Sequence, residues 1–330
     1  MSFDRLQEKI DKMRNPTVVG LDPALEHIPP QILEKRLKEK GETLEAAAEA
    51  VLEFNMGLID ALCDVVPAVK PQSAYYEALG PAGVTTLKKT IGYAKAKGMY
   101  VICDGKRNDI GPTAAAYSAA YLGAVKIGGT EICPFDADAL TVNAYLGSDG
   151  IKPFIETAVK YDKAVFALVR TSNPSAGELQ DKHIEPEEGL PHNEREPAGR
   201  PHPERRLYTA IGGLMEEISR DTIGKYGYTR VGAVVGATYP EEAKFLRSRL
   251  ANTFFLVPGY GAQGGSAAQA ACSFDKNGRG AIINSSRAVI AAWKSSNHGG
   301  GSAASQGSDY QAAARAEALR MRDELRLHIF

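Results

Sequence analysis

Asp104, Lys106 and Asp109 stand within six residues of one another in VICDGKRNDIGPTAAAY, residues 101–117. A short apolar run, Tyr100 to Cys103, precedes them, and a helix rich in small residues is expected from Thr113 to Leu122. Residues two apart on a strand share a face. Asp104 and Lys106 are therefore expected to project together from the strand's end. Asp109 lies on the following loop, where spacing does not set its aim. Acid, base and acid at the C-terminal end of a strand is where α/β barrels keep their chemistry. The plainer alternative is a solvated turn with local ion pairs. Two further charges end apolar runs. Asp22 follows TVVGL and precedes Pro23, which stops regular structure. Lys70 follows the apolar pair Ala68-Val69 in the brief strand expected at Ala68 to Gln72. Taken alone, Asp22 reads equally as a turn former or cap, and Lys70 as a solvated lysine. Together they add to an alternating set of charges along one rim.

Three more features fall at the ends of apolar runs. Ser172 and Asn173 offer a hydroxyl and an amide after AVFALV. Pro258 to Gly265, PGYGAQGG, follows TFFLV, and Ser286-Arg287 follows GAIIN. Glycines let backbone N–H groups close on phosphate oxygens, and an arginine can bind them bidentately. Barrels often build a phosphate site from the loops after strands seven and eight. No Lys-Ser/Thr follows PGYGAQGG, so it is not a Walker A loop. The plainer reading is a flexible loop.

The elements that must position these groups follow from periodicity. Strands are expected at Thr17–Leu21, Ala68–Gln72, Tyr100–Cys103, Ala139–Val142, Ala164–Val169, Val231–Gly236, Thr253–Val257 and Gly280–Asn284. Helices are expected between them. One runs from Thr43 to Cys63 on the stripe Leu44, Ala47, Val51, Phe54, Leu58, Leu62. Another carries Val84, Leu87, Ile91 and Ala94 and stops at Gly98. Further helices are expected at 153–161, 207–223 and 240–250. The strands are apolar on both faces, as a covered parallel sheet requires. Eight such units predict an α/β fold, a (β/α)8 TIM barrel forming one domain over residues 1–330. An open doubly wound sheet would need a glycine-rich phosphate turn after the first strand, and Gly20-Leu21-Asp22-Pro23 is not one. Residues 178–206, charged and proline-rich, read as a surface insertion after strand five. Their histidines, His183, His192 and His202, share no metal-ligand spacing. Residues 295–308 are Gly/Ser-rich and expected to be flexible. Ser308 or Asp309 is expected to cap a last helix reaching Leu327.

Composition narrows the function class. The 330 residues carry a formal net charge of −1, with 24 % charged and 44 % apolar residues. That is an ordinary globular composition, with no electrostatic case for a nucleic-acid or acidic-membrane partner. A small anionic substrate would need a local positive site. Cys63, Cys103, Cys133 and Cys272 are scattered and form no C-x-x-C, so neither a disulfide framework nor a zinc knuckle is expected. Cys63 and Cys103 lie in apolar segments and are expected in the core. MSFDRLQEKIDK is no signal peptide and no run is long enough to span a membrane, so a cytoplasmic protein is expected.

DGKRNDIGPTAAAY resembles the signature of the orotidine 5′-phosphate decarboxylase family, in its longer, bacterial-type branch. LDP (21–23), VKPQSAYYE (69–77), TVNAYLG (141–147), RTSNPSA (170–176), VPGYGAQGG (257–265) and INSSR (283–287) follow in the order that family shows, covering roughly residues 15 to 292. The 178–206 insertion and the Gly/Ser stretch are longer than the family usually has. The resemblance implies decarboxylation of orotidine 5′-monophosphate to UMP, the last step of de novo pyrimidine nucleotide synthesis, with no metal or cofactor. Lys106 would be the proton donor to C6, and Asp104 would sit against the substrate carboxylate. Lys70 and Asp109 would complete a Lys-Asp-Lys-Asp array, with Asp109 coming from the other subunit of a homodimer. Asp22 and Lys70 would hold ribose hydroxyls, and Thr113 would reach the ribose from the partner. Ser172 would bond the pyrimidine. Gln263, Arg287 and the backbone at Ser286 would bind the 5′-phosphate, with Pro258 also against the substrate. The 259–265 loop would serve as a lid. Two other functions fit parts of the pattern. Sister barrels such as hexulose-phosphate synthase use similar acids to hold Mg2+ and process sugar phosphates. A non-catalytic sensor of phosphoribosyl ligands would need no proton donor.

Overall fold

Short β-branched and apolar runs form ten strands among the described residues. In chain order they are β1 (Thr17–Leu21), β2 (Ala68–Pro71), β3 (Tyr100–Arg107), β4 (Val125–Ile127), β5 (Thr130–Ile132), β6 (Ala139–Val142), β7 (Ala164–Arg170), β8 (Val231–Val235), β9 (Phe255–Val257) and β10 (Ala281–Ser285). The computed structural model describes residues 1–184, 205–261, 264–294 and 310–330. Eight strands close into a barrel in the order β1-β10-β9-β8-β7-β6-β3-β2, and every barrel pairing is parallel. This is the expected (β/α)8 architecture. β4 and β5 form an antiparallel hairpin outside the barrel that periodicity did not indicate.

Alternation sorts the strand residues onto two cores. Val18, Ala68, Ile102, Ala139, Phe166, Val234, Leu256 and Ile282 belong to one buried cluster inside the barrel. Val19, Val69, Val101, Leu140 and Val165 face the other way and pack with helices. The inner cluster also contains Phe3, Leu6 and Ile10 of an N-terminal helix, Ser2–Met13. Phe3 stacks on Phe254 at 5.1 Å and meets Phe166 at 4.9 Å, so this helix plugs the end of the barrel opposite the site. From sequence this segment is read only as no signal peptide, and its place in the core is not foreseen.

The helices stop and start where local chemistry dictates. Thr43 caps the helix Leu44–Leu62 by accepting a bond from the Ala46 N–H. Leu44, counted in that helix's apolar stripe, is instead 52 % exposed in its first turn. The helix Gly80–Ala96 ends where Gly98 adopts φ +77°, a left-handed turn that glycine makes without strain. Cys103 is buried as expected, but Cys63 is only half-buried, at the end of its helix.

The segment expected as an insertion from residue 178 begins as structured chain. Gly177–Gln180 is a short helix, and a stem follows in which Ile184 N bonds Arg205 O at 2.8 Å and Leu207 N bonds Lys182 O at 2.9 Å. His192, His202 and the 295–308 stretch, with its Ser308 or Asp309 cap, lie outside the described residues. Among the described residues, no group of three or more His, Cys, Asp or Glu could hold a metal ion, and no helix is long and apolar enough to cross a membrane. The last helix runs Tyr310–Ile329.

Candidate active site

The C-terminal strand ends surround a cavity of about 720 Å3, a size suited to a small phosphorylated ligand. Asp22, Lys70, Asp104, Lys106, Ser172, Pro258, Ser286 and Arg287 all line it. The next inward-facing positions of the barrel form its floor. Lys70, Asp104 and Thr141 make one side polar, while Leu168, Val234 and Leu256 make the other apolar.

Asp104 is the centre of the polar side. Its Oδ2 accepts from Lys70 Nζ at 2.7 Å and from Gln72 Nε2 at 3.0 Å. Its Oδ1 accepts from Lys106 Nζ and from Thr141 Oγ1, both at 2.7 Å. Four donors thus fill the roughly four acceptor positions of a carboxylate. Burial works against a charge here, but the two ammonium groups outweigh it and hold the Asp104 carboxyl well below the usual carboxylate range. Its ionisation and the ion pairs that depend on it therefore persist as pH falls through the ordinary carboxylate range, and are lost only below it. Lys70 is fully buried, which disfavours its charge, yet Asp104 and then Asp22 raise its pKa. Lys106 differs in exposure: its side chain is 47 % exposed. An ammonium has three N–H donors, so Lys106 keeps hydrogens for a ligand.

The route by which Lys106 reaches Asp104 differs from the expected one. Strand β3 does not end at Cys103 but continues to Arg107. Its pairing with β6 slips between Cys103↔Leu140 and Arg107↔Val142, and Lys106 adopts φ +46°. A left-handed backbone costs a non-glycine residue about 1–2 kcal/mol. Simple strand alternation therefore does not place Lys106; an irregularity in the strand does. Arg107 anchors the far side by donating to Tyr121 Oη at 2.9 Å and pairing with Glu77.

The other rim groups divide by neighbourhood. Asp22 Oδ1 is buried and accepts no hydrogen bond from the described residues. Arg287 opens the short helix Arg287–Ile290, exposed and turned to the cavity. Ser286 sits so close to β1 that a Cβ on Gly20 would lie 1.8 Å from its Oγ. Glycine at position 20 is what lets the loop after β10 close over β1. Tyr260, in the glycine-rich loop, is buried and donates to Glu324 Oε2 of the C-terminal helix at 2.6 Å. Gln263 lies outside the described residues.

Asp109 and Thr113 are not among the cavity's lining residues. Asp109 Oδ1 accepts from the Ile110 N–H at 2.8 Å, and Thr113 is exposed in the first turn of the helix Gly111–Tyr121. Gln72, Thr141, Asn284 and Gln180 line the cavity but were not singled out from the sequence. Gln72 stands two residues after Lys70, so strand parity could have suggested it. Thr141 and Asn284 fall on the inward parity of their strands. Gln180 gave no local signal: it lies at the root of the insertion and bonds Thr171 Oγ1 at 2.7 Å.

Comparison with known proteins agrees with this geometry. The protein of Rhodopirellula baltica named orotidine 5′-phosphate decarboxylase is 41 % identical over 310 residues, covering 94 % of each chain. The protein of that name from Clostridium perfringens strain SM101 is 36 % identical over 326 residues, covering 99 % of this chain and 98 % of its own. The structure of Leishmania donovani OMP decarboxylase superposes with a TM-score of 0.66 at 27 % identity, covering 98 % of this chain and 99 % of that one. A profile of the orotidine 5′-phosphate decarboxylase / HUMPS family matches residues 18–297, from the first barrel strand to beyond the last. With the barrel, the paired lysines on Asp104 and these full-length matches together, the chain belongs to the orotidine 5′-phosphate decarboxylase / HUMPS family.

Proposed function

We propose that this chain is a carboxy-lyase that converts orotidine 5′-monophosphate to UMP and CO2 in pyrimidine synthesis. The observation that carries the reading is the Asp104 carboxylate held at 2.7 Å from the ammonium groups of both Lys70 and Lys106 at the cavity floor. Loss of CO2 from C6 leaves a carbanion in the plane of the ring, which the ring π system cannot delocalise. The barrier must then fall through positioning and electrostatics. Lys106 stabilises the developing charge and delivers a proton to C6. Asp104, adjacent to the substrate carboxylate, keeps the Lys106 ammonium aimed. Lys70 neutralises Asp104 and, with Asp22, takes the ribose hydroxyls; the unpartnered buried oxygen of Asp22 suits a hydroxyl donor. Ser172 takes the pyrimidine. Arg287, the Ser286 backbone, Pro258 and Gln263 take the phosphate end, whose binding energy drives closure of the loop 259–265.

Asp109 and Thr113 act in the cavity of a second copy. Both stand outside their own cavity, beside exposed apolar groups: Ile110 is 50 % and Tyr117 36 % exposed. Such a surface suits a homodimer with shared sites. The chain works as one barrel domain in the cytoplasm.

A metal-dependent sugar-phosphate reaction fits less well. Every acceptor position on Asp104 is occupied by a protein donor, two of them cationic, so this acid offers no free face to Mg2+. The deciding experiment incubates purified protein with orotidine 5′-monophosphate and excess EDTA, following pyrimidine absorbance and CO2 release. Rapid formation of UMP is expected. No conversion with EDTA, but turnover of a sugar phosphate on adding Mg2+, would move the chain to the sister activity. Tight UMP binding with no turnover of either would favour a sensor.

A further inference from the structure

Strand β3 presents a local problem at the residue that matters most. Between Cys103 and Arg107 it advances four residues while β6 advances two, from Leu140 to Val142. The peptide groups in that stretch cannot all find ladder partners on β6. A buried backbone N–H without an acceptor is costly. The N–H of Lys106 is donated instead to a side chain, Thr141 Oγ1, at 3.0 Å. The same oxygen donates its own hydrogen to Asp104 Oδ1 at 2.7 Å. A hydroxyl has one hydrogen to give and lone pairs to receive. Both capacities are used here, and they face the backbone of one charged residue and the carboxylate of the other.

We propose that Thr141 is a positioning residue of the decarboxylation site, its hydroxyl fixing Lys106 and Asp104 relative to one another. Its place in the strand makes this possible. Thr141 is buried and lies in β6 between Leu140 and Val142, the residues that bracket the slip. A β-branched residue there has few rotamers, so the hydroxyl position is rigid. The bond to the Lys106 N–H holds a backbone conformation, φ +46°, that lysine would otherwise leave. The bond to Oδ1 fixes the oxygen that also receives Lys106 Nζ at 2.7 Å. A closed ring results: Lys106 backbone, Thr141 hydroxyl, Asp104 carboxylate, Lys106 ammonium. The ring sets where the ammonium stands while leaving its remaining hydrogens to the cavity. Gln72 serves the other carboxylate oxygen, Oδ2, so its loss would not open the ring.

This inference rests on the decarboxylase reading but is tested separately from it. Thr141→Val keeps the shape and removes the hydroxyl; Thr141→Ser restores the hydroxyl without the methyl. In the valine variant kcat for orotidine 5′-monophosphate should fall on the order of 100-fold, the scale of a misplacement of about 1 Å in a reacting group. KM and UMP affinity should stay near wild type, and the serine variant should recover most of the loss. Thr141→Ala carries the same test if valine is not accommodated. Crystal structures of the variants supply a readout independent of turnover: without the hydroxyl, Lys106 should leave its left-handed conformation or its ammonium should move off Asp104. An unchanged Lys106–Asp104 geometry with full kcat would overturn the proposal. Lost UMP affinity with kcat intact would also overturn it, making Thr141 a ligand contact. If wild-type protein fails to convert the substrate, the decarboxylase reading falls, and the crystallographic comparison still decides whether Thr141 holds Lys106.

Discussion

At the scale of single residues, the site depends on unequal exposure within one ionic cluster. Lys70 and Asp104 are buried and hold each other's charges, whereas Lys106 pairs with the same carboxylate yet keeps half its side chain open. The buried pair is a fixed electrostatic frame, and the exposed ammonium is the group free to meet a substrate. Lys106→Ala should therefore abolish turnover while leaving UMP binding largely intact, because the contacts proposed for the phosphate and ribose ends come from other residues. Single-turnover assays with isothermal titration of UMP check this. Full activity in the variant would remove Lys106 as proton donor. Asp104 would keep its ionisation in that variant through Lys70.

At the scale of elements, the end of the barrel opposite the site is closed by a helix. The helix Ser2–Met13 inserts Phe3, Leu6 and Ile10 among inward strand residues, and Phe3 contacts both Phe166 and Phe254. Phe166 lies on β7, the strand that ends at Arg170 and leads into Ser172. Phe3→Ala removes a ring that is 1 % exposed, and a buried Phe→Ala change costs about 3–5 kcal/mol. Urea unfolding should show that loss as a lower midpoint at unchanged slope. A shift under about 0.5 kcal/mol, the range of ordinary surface substitutions, would mean the helix does not close the barrel. The C-terminal helix is tied to the other rim by the Tyr260–Glu324 bond, with Arg320 on the same carboxylate at 2.8 Å. The glycine-rich loop is thus pinned at its root.

At the scale of the whole molecule, the proposed shared site is tested through Asp109 and Thr113. A chain that brings Asp22, Lys70, Asp104 and Lys106 to one cavity leaves these two outside it. If they serve a partner's cavity, mixing inactive Asp104→Ala and Asp109→Ala proteins should restore part of the activity. Mixed dimers would carry one site with both defects and one with neither. Activity that stays absent after subunit exchange has been verified by mass spectrometry would show that each chain works alone.

The linear chain determined the chemistry and most of the scaffold. The identities of Asp22, Lys70, Asp104, Lys106 and Arg287 were legible because each follows an apolar run, and a parallel barrel gathers such ends on one rim. Thr17–Leu21 and Ala139–Val142 are strands at the bounds read from their short apolar runs. Tertiary structure decided what depends on distant partners. β3 runs on to Arg107 because β6 accepts it there, and Lys106 is held by a hydroxyl 35 residues away. The N-terminal helix was not read from sequence as part of the core; the burial of its polar Ser2, Asp4 and Gln7 is compensated by Tyr100, the Tyr226 N–H and the Gly280 N–H, none of them near in sequence. Local periodicity reports which face of an element is apolar. It does not report which remote partner satisfies a polar atom, and at Lys106 that partner, the Thr141 hydroxyl, accepts from the backbone of the proposed proton donor.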